Sequence, residues 1–269
     1  MAAPVFKDQV AIITGASSGI GWELALQLAD QGARIVLAAR HADKLAALAE
    51  ACRARGGQAL AVPTDVTQPE ACQALVSQAA AAYGKIDMLV NNAGITMWAR
   101  VDEITDLSIF EKIIQVNYLG SLYCTFYALP HLRQSRGRIV AISSLTGKAG
   151  VPTRSGYAAS KHAMVGFFDS LRIELDGSGV SVTMVYPGFV ATGVQARAFG
   201  PDGSLLGRNP LQLDKVMSTE ECARLTLRAA AGRRREEIMT LRGKLGQWLK
   251  LVAPGLVDRI ARKAIEEGK

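Results

Sequence analysis

The chain has 269 residues, 49% hydrophobic and 20% charged, which fits one large α/β domain with a sizeable core. No uncharged apolar run reaches the roughly 18 residues of a transmembrane helix, and the opening "MAAPVFKDQV" lacks a basic segment followed by an apolar one, so neither span nor leader is expected. The net charge of +7 speaks against a basic nucleic-acid-binding body: residues 1–223 carry 19 basic and 19 acidic groups, while residues 224–269 carry 12 and 5.

In chain order, "VAIIT" (10–14) is a short apolar run that reads as a buried strand and ends in the turn "TGASSGIG" (14–21). A helical pattern runs from about Ile20 to Gln31 and stops at Gly32. "RIVLAA" (34–39) is the second strand, and Asp43 is the expected N-cap of a helix ending near Arg55, before Gly56 and Gly57. "ALAV" (59–62) is the third strand, and a helix from about Pro69 to Tyr83 precedes "IDMLV" (86–90). One long helix is expected over roughly 106–134, then the strand "RIVAIS" (138–143), a helix over 155–176 and the strand "VSVTMVY" (180–186). Residues 192–215 show no clear period, and a helix near 219–231 and a strand near 237–241 close the body. This alternation predicts a parallel sheet covered on both faces, wound right-handedly into a doubly wound Rossmann fold. A single domain over 1–241 is expected, with 242–269 as a basic amphipathic tail.

Three segments point to chemistry. Gly15, Gly19 and Gly21 lie between the first strand and the first helix, where glycines let backbone approach a pyrophosphate and the helix N-terminus favours its charge. Ser17 and Ser18 add hydroxyl donors there. After the second strand comes Arg40, with no acid before Asp43, which favours a ribose 2′-phosphate and so NADP(H) over NAD(H). In "SGYAASKHAM" (155–164), Tyr157 and Lys161 are four apart and share a helix face. A nearby ammonium favours the phenolate and lowers a tyrosine pKa from about 10, which suits proton transfer near neutral pH. His41, His131 and His162 show no metal-ligand spacing, no metal is expected, and the G-x-S-x-G elbow of a serine hydrolase is missing. Cys52, Cys72, Cys124 and Cys222 have no paired spacing and read as reduced cytosolic thiols. The aromatic residues form no evident nucleic-acid stacking motif.

Together, "TGASSGIG", "NNAG" (91–94), "SS" (143–144), "YAASK" (157–161) and "YPGFVAT" (186–192), in this order, resemble the short-chain dehydrogenase/reductase family over about residues 8–240. The resemblance implies roles. Tyr157 would be the catalytic acid/base, and Lys161 would lower its pKa and hold the nicotinamide ribose hydroxyls. Ser144 would bond the substrate oxygen, and Asn117 would support a water-linked proton relay. Ile20 joins the glycine turn in cofactor binding. Asp65 and Val66 would meet the adenine, although Asp65 equally suits a cap for the helix near Pro69. Asn92, Ala93 and Gly94 would lie beside the cofactor, and Pro187, Gly188, Val190 and Thr192 along the nicotinamide. The family often carries a basic residue in the glycine turn when it prefers NADP(H); Ser17 and Ser18 supply none, so that preference rests on Arg40.

The resulting expectation is a cytoplasmic, homodimeric or homotetrameric oxidoreductase that interconverts a small carbonyl compound and a secondary alcohol. A dinucleotide-binding regulatory protein without turnover is the alternative from another class. Residues 192–215 would form a lid, and Trp98, Phe199, Leu205, Leu206 and Met217 suggest an apolar pocket for a lipophilic substrate. In the tail, Leu241, Leu245, Trp248, Leu249 and Val252 form one apolar helical stripe with Arg242, Lys244 and Lys250 off its centre. Pro254 and Gly255 should end that helix, and 256–265 can form a second. The stripe has three readings: it packs on its own body, on a partner subunit, or on an anionic membrane surface.

Overall fold

In the computed structural model, which describes residues 5–207 and 216–266, six short, largely apolar runs and the brief strand EEI form one parallel sheet. The strands are β1 (Val10–Thr14), β2 (Arg34–Ala39), β3 (Gln58–Pro63), β4 (Met88–Asn91), β5 (Arg138–Ile142), β6 (Ser181–Tyr186) and β7 (Glu236–Ile238). Their order is β3-β2-β1-β4-β5-β6-β7. Side chains alternate across each strand. Ala11 and Ile13 therefore join a core under α1 (Gly19–Ala29), α2 (Ala42–Ala54) and α7 (Thr219–Ala231). Val10 and Ile12 join another under α3 (Pro69–Tyr83), α5 (Gly120–Ser135) and α6 (Ser155–Glu174). Both faces are buried, which is why these strands read as nearly continuous apolar runs.

β1 pairs with β2 on one side and β4 on the other, so the chain reverses its winding beside β1. A crevice opens at such a switch point, beyond the carboxyl ends of the strands. The glycine turn, Arg40, Asp65, Asn92, Ser144 and Pro187 all follow strand ends on that edge.

Several expectations are corrected. The helix expected over 106–134 is α4 (Ser108–Ile114), a π-helical turn (Gln115–Leu119) and α5. Such turns are frequent at functional sites, and this one carries Asn117. His41, not Asp43, holds the cap position of α2, and Asp43 lies in its first turn. The cap position of α3 is Gln68; the Asp65 carboxylate instead accepts from Thr67 N and Oγ1, at 3.0 and 2.8 Å, and closes a local turn. β7 stops at Ile238, because Thr240 already caps α8 (Leu241–Val252) by accepting from Gly243 N at 3.0 Å. α8 ends before Pro254 as expected, and the second helix, α9 (Pro254–Glu266), begins at Pro254 rather than 256, where the missing N–H costs nothing. The proposed lid is irregular over 192–207, with short bridges from Phe199 to Met97 and Leu205; residues 208–215 of it lie outside the described residues.

The tail stripe faces away from the body. Leu241, Leu245, Trp248 and Val252 are 72%, 62%, 74% and 82% exposed, which removes packing on the chain's own body for these residues, while Leu249 of the stripe is half-buried. The opposite face meets the loop after β5. A Cβ on Gly243 would come within 2.6 Å of Leu145, and Lys250 Nζ donates to the Lys148 carbonyl at 2.7 Å. Among the described residues no helix is long and apolar enough to cross a membrane.

Candidate active site

The crevice holds a cavity of about 660 Å³. Gly15, Ser17, Ser18, Gly19 and Ile20 line one part of it, with Arg40, Asp65 and Val66 beside them. Asn92, Ala93 and Gly94 follow from β4, Ser144 from β5, Tyr157 and Lys161 from α6, and Pro187, Gly188, Val190 and Thr192 from β6. Two expected residues do not line it. Gly21 is where the Asn92 side chain crosses the turn: a Cβ there would meet Asn92 Nδ2 at 2.5 Å. Asn117 is fully buried.

The glycine turn is shaped from beneath. Gly15 adopts φ +65°, which L side chains rarely enter. Asn92 Nδ2 donates to the carbonyls of Thr14 and Gly15 at 2.9 and 3.2 Å. Thr14 Oγ1 accepts from Asn92 N and Ala93 N at 3.0 and 3.1 Å. The ends of β1 and β4 are thus tied together, and the turn opens toward the cavity. The expectation placed Asn92 beside a cofactor; here its amide holds the turn that would receive one.

Asn117 is a clamp in the same sense. Its Oδ1 accepts from Ile95 N at 2.8 Å, and its Nδ2 donates to the Ile95 carbonyl and Ser160 Oγ at 3.0 and 2.9 Å. Ser160 Oγ in turn donates to the Tyr157 carbonyl at 2.8 Å. The amide therefore fixes the loop after β4 against the first turns of α6.

Tyr157 and Lys161 share the cavity face of α6, as their spacing predicts. Ser144 opens the short turn Leu145–Gly147, and its Oγ accepts from Thr146 N at 3.2 Å. The Ser144 hydroxyl and the Tyr157 phenol both line the cavity. The electrostatics differ from expectation. Partial burial raises the phenol above its ordinary 10, and the groups that lower it are the Arg154 charge and the Ser144 hydroxyl, not Lys161. Lys161 is only 3% exposed and donates to the Ile142 carbonyl at 2.8 Å. Burial without an acid beside it brings its pKa from 10.5 down to about 7. Its Nζ lies 5.7 Å from the centre of the Tyr157 ring.

Other residues of the site went unread in the sequence. Arg197, from the segment after β6, lines the cavity and donates from Nη2 to Ser18 Oγ at 3.0 Å, which brings a cation to the glycine turn. Arg154, one turn before Tyr157, lines it too, as do Val151, Phe189 and Ala261 of α9. No short-range motif announces a side chain that reaches the site from a loop or a tail. Of the residues expected to form an apolar pocket, Phe199 and Leu205 line the cavity, Trp98 stacks on Arg154, and Leu206 and Met217 do not line it. Cys72 and Cys124, without paired spacing in sequence, meet with sulfurs 3.5 Å apart, both as free thiols.

Comparison with known proteins agrees with this geometry. The family model described as short chain dehydrogenase matches residues 9–201. An Arabidopsis thaliana protein called 11-beta-hydroxysteroid dehydrogenase-like 2 is 35% identical over 254 residues, covering 93% of this chain and 79% of its own. A solved short chain dehydrogenase/reductase from Burkholderia phymatum, in complex with NAD, superposes with a TM-score of 0.83 at 29% identity, over 95% of this chain and 96% of its own. An alcohol dehydrogenase from the archaeon Thermococcus sibiricus, complexed with 5-hydroxy-NADP, superposes with a TM-score of 0.76 at 26% identity, over 87% and 96%. The parallel sheet, the glycine turn at its switch point and the match over most of the body agree: the chain belongs to the short-chain dehydrogenase/reductase family of nicotinamide-dependent oxidoreductases.

Proposed function

We propose that the chain interconverts a lipophilic carbonyl compound and its secondary alcohol with NADP(H), using Tyr157 as the acid/base. The observation that carries this reading is the convergence of Ser144, Tyr157 and Lys161 on a cavity that begins at the glycine turn. The residues fit a dinucleotide: the turn with Arg197 suits the pyrophosphate, and the exposed Arg40 after β2 suits a 2′-phosphate. One relative was solved with NAD and another with an NADP derivative, so the preference for NADP(H) rests on Arg40. Phe189, Phe199 and Leu205 support an apolar substrate, as does a relative named for hydroxysteroids.

The bound nicotinamide supplies or takes the hydride. The chain's own groups manage the oxygen. Reduction turns a carbonyl oxygen into an alkoxide, and the Tyr157 phenol donates its proton there. Ser144 Oγ–H stabilises the developing negative charge. Lys161, which lines the cavity, would hold the ribose hydroxyls. Tyr157→Phe keeps the ring and removes the transferable proton. We expect cofactor binding to persist while carbonyl-dependent NADPH loss falls at least about 100-fold. Near-normal turnover in that variant, on a compound the parent reduces, removes Tyr157 from the mechanism.

A second reading concerns the tail. The outward stripe on α8, flanked by Arg242 and Lys244, favours peripheral contact with an anionic membrane. Exposed Phe126 on α5 and Ile173 on α6, at 67% and 75%, support self-association through another face.

A further inference from the structure

Arg154 occupies the N-cap position of α6 and is 4% exposed. Its Nη1 donates to Thr96 Oγ1 at 2.9 Å. Its Nε and Nη2 are buried and have no hydrogen-bond partner among the described residues. The guanidinium is stacked at 4.1 Å from the Trp98 ring centre and lies 5.7 Å from that of Phe189. No ion pair joins it to an acid among the described residues, and Tyr157 is the one ionisable group that acts on it. Burial lowers its pKa to about 10, so the charge remains at neutral pH.

A buried cation without an anion is costly, and chains usually pair it or replace it with an apolar residue. This one lines the cavity among groups from β4, α6 and β6, with Tyr157 one turn away. The glycine turn and Arg40, where phosphates would lie, belong to the ends of β1 and β2. No described residue supplies the anion, and it is therefore assigned to the substrate end. Nε and Nη2 are also adjacent donors on one side of the guanidinium, the fork that a carboxylate fills with two parallel bonds. Trp98 and Phe189 give the fork flat apolar walls.

We propose that Arg154 anchors a carboxylate of the substrate, so that the natural substrate is a lipophilic oxo acid or hydroxy acid whose reacting oxygen reaches Tyr157. The inference rests on the oxidoreductase reading above and deepens it. Both free nitrogens are closed to water in this structure, so a carboxylate reaches them only when the cavity wall around Trp98 and Phe189 gives way.

The test reads binding directly. 4-Phenylbutanoate and octanoate, each with its methyl ester, are titrated calorimetrically into the full chain with and without NADP+. The same is done with Arg154→Gln and Arg154→Lys. Lys161 and an oxidised nicotinamide favour any anion, so the parent's acid-over-ester ratio must also depend on Arg154. We expect at least one acid to bind about tenfold or more tightly than its ester. The ratio should collapse toward one in Arg154→Gln and survive only in part in Arg154→Lys, which keeps the charge and loses the fork. The lysine variant carries the test if the glutamine variant does not fold. Ratios near one for both pairs in the parent, no binding of either acid, or an unchanged ratio in the variants overturns the proposal. Loss of the oxidoreductase reading would show separately, as no carbonyl-dependent NADPH consumption while the ratio stands.

Discussion

Arg40, Arg154 and Arg197 bring three guanidinium groups to the cavity from three loops. Arg40 was legible in the sequence, because the residue after the second strand meets the adenosine ribose in folds of this kind. Arg154 and Arg197 were not, since nothing within a few residues of either marks it as facing a cavity. Arg40 is exposed at the cavity edge with no acid in its segment until Asp43. Arg40→Asp should weaken NADPH binding by repulsion of the 2′-phosphate and strengthen NADH binding through the ribose hydroxyls. Each effect is about 1–3 kcal/mol by analogy with charged hydrogen bonds. Equilibrium titration of both cofactors against parent and variant checks it, and an unchanged NADPH/NADH ratio means that Arg40 does not read the phosphate.

Among the elements, α8 and α9 are the ones whose function is not set by the sheet. Their apolar periodicity was plain in sequence, but periodicity cannot say which way a stripe faces. Here small residues decide it. Gly243 lets α8 approach Leu145 closely, so the glycine-bearing face turns inward and Leu241, Leu245, Trp248 and Val252 turn outward. Burying such a stripe in a lipid interface combines apolar transfer with attraction of basic residues, about 1 kcal/mol each near an anionic surface. We expect weak, salt-sensitive co-sedimentation with anionic vesicles that a chain truncated after Thr240 lacks, with circular dichroism confirming that the truncated body is folded. Equal pelleting with neutral and anionic lipid, or none at low salt, removes the anionic-surface reading and leaves the tail as a packing or oligomer element. Since Ala261 of α9 lines the cavity, the truncation also tests whether the tail shapes the site.

At the scale of the whole molecule, the buried Lys161 ties global stability to pH. Its folded pKa of about 7 lies below the ordinary 10.5, so between these values the unfolded chain holds a proton that the folded chain has lost. Stability therefore rises with pH across that window, and the cost of burying the ammonium is present in full below pH about 7. One proton corresponds to at most about 1.4 kcal/mol per pH unit. Denaturant unfolding of the cofactor-free protein between pH 7 and 8.5 should show a steeper rise than Lys161→Met by up to that amount. Parallel pH profiles for the two proteins would mean that Lys161 keeps its proton when folded.

By itself the sequence determined the alternating sheet, because strands buried on both faces must be continuously apolar and glycine must stand where a turn needs it. It also pointed to Ser144, Tyr157 and Lys161, which line one cavity, because a helix converts a spacing of four into a shared face and because the motifs stand in one order. Tertiary structure decided what spacing cannot encode. The π-helical turn arises where Asn117 must reach both Ile95 and Ser160. The Arg154 charge acts on the phenol beside the expected lysine, because burial lowers the Lys161 pKa to about 7 while a guanidinium keeps its proton. The direction of the tail stripe depends on a contact between Gly243 and a loop nearly one hundred residues earlier in the chain, a distance no local pattern spans.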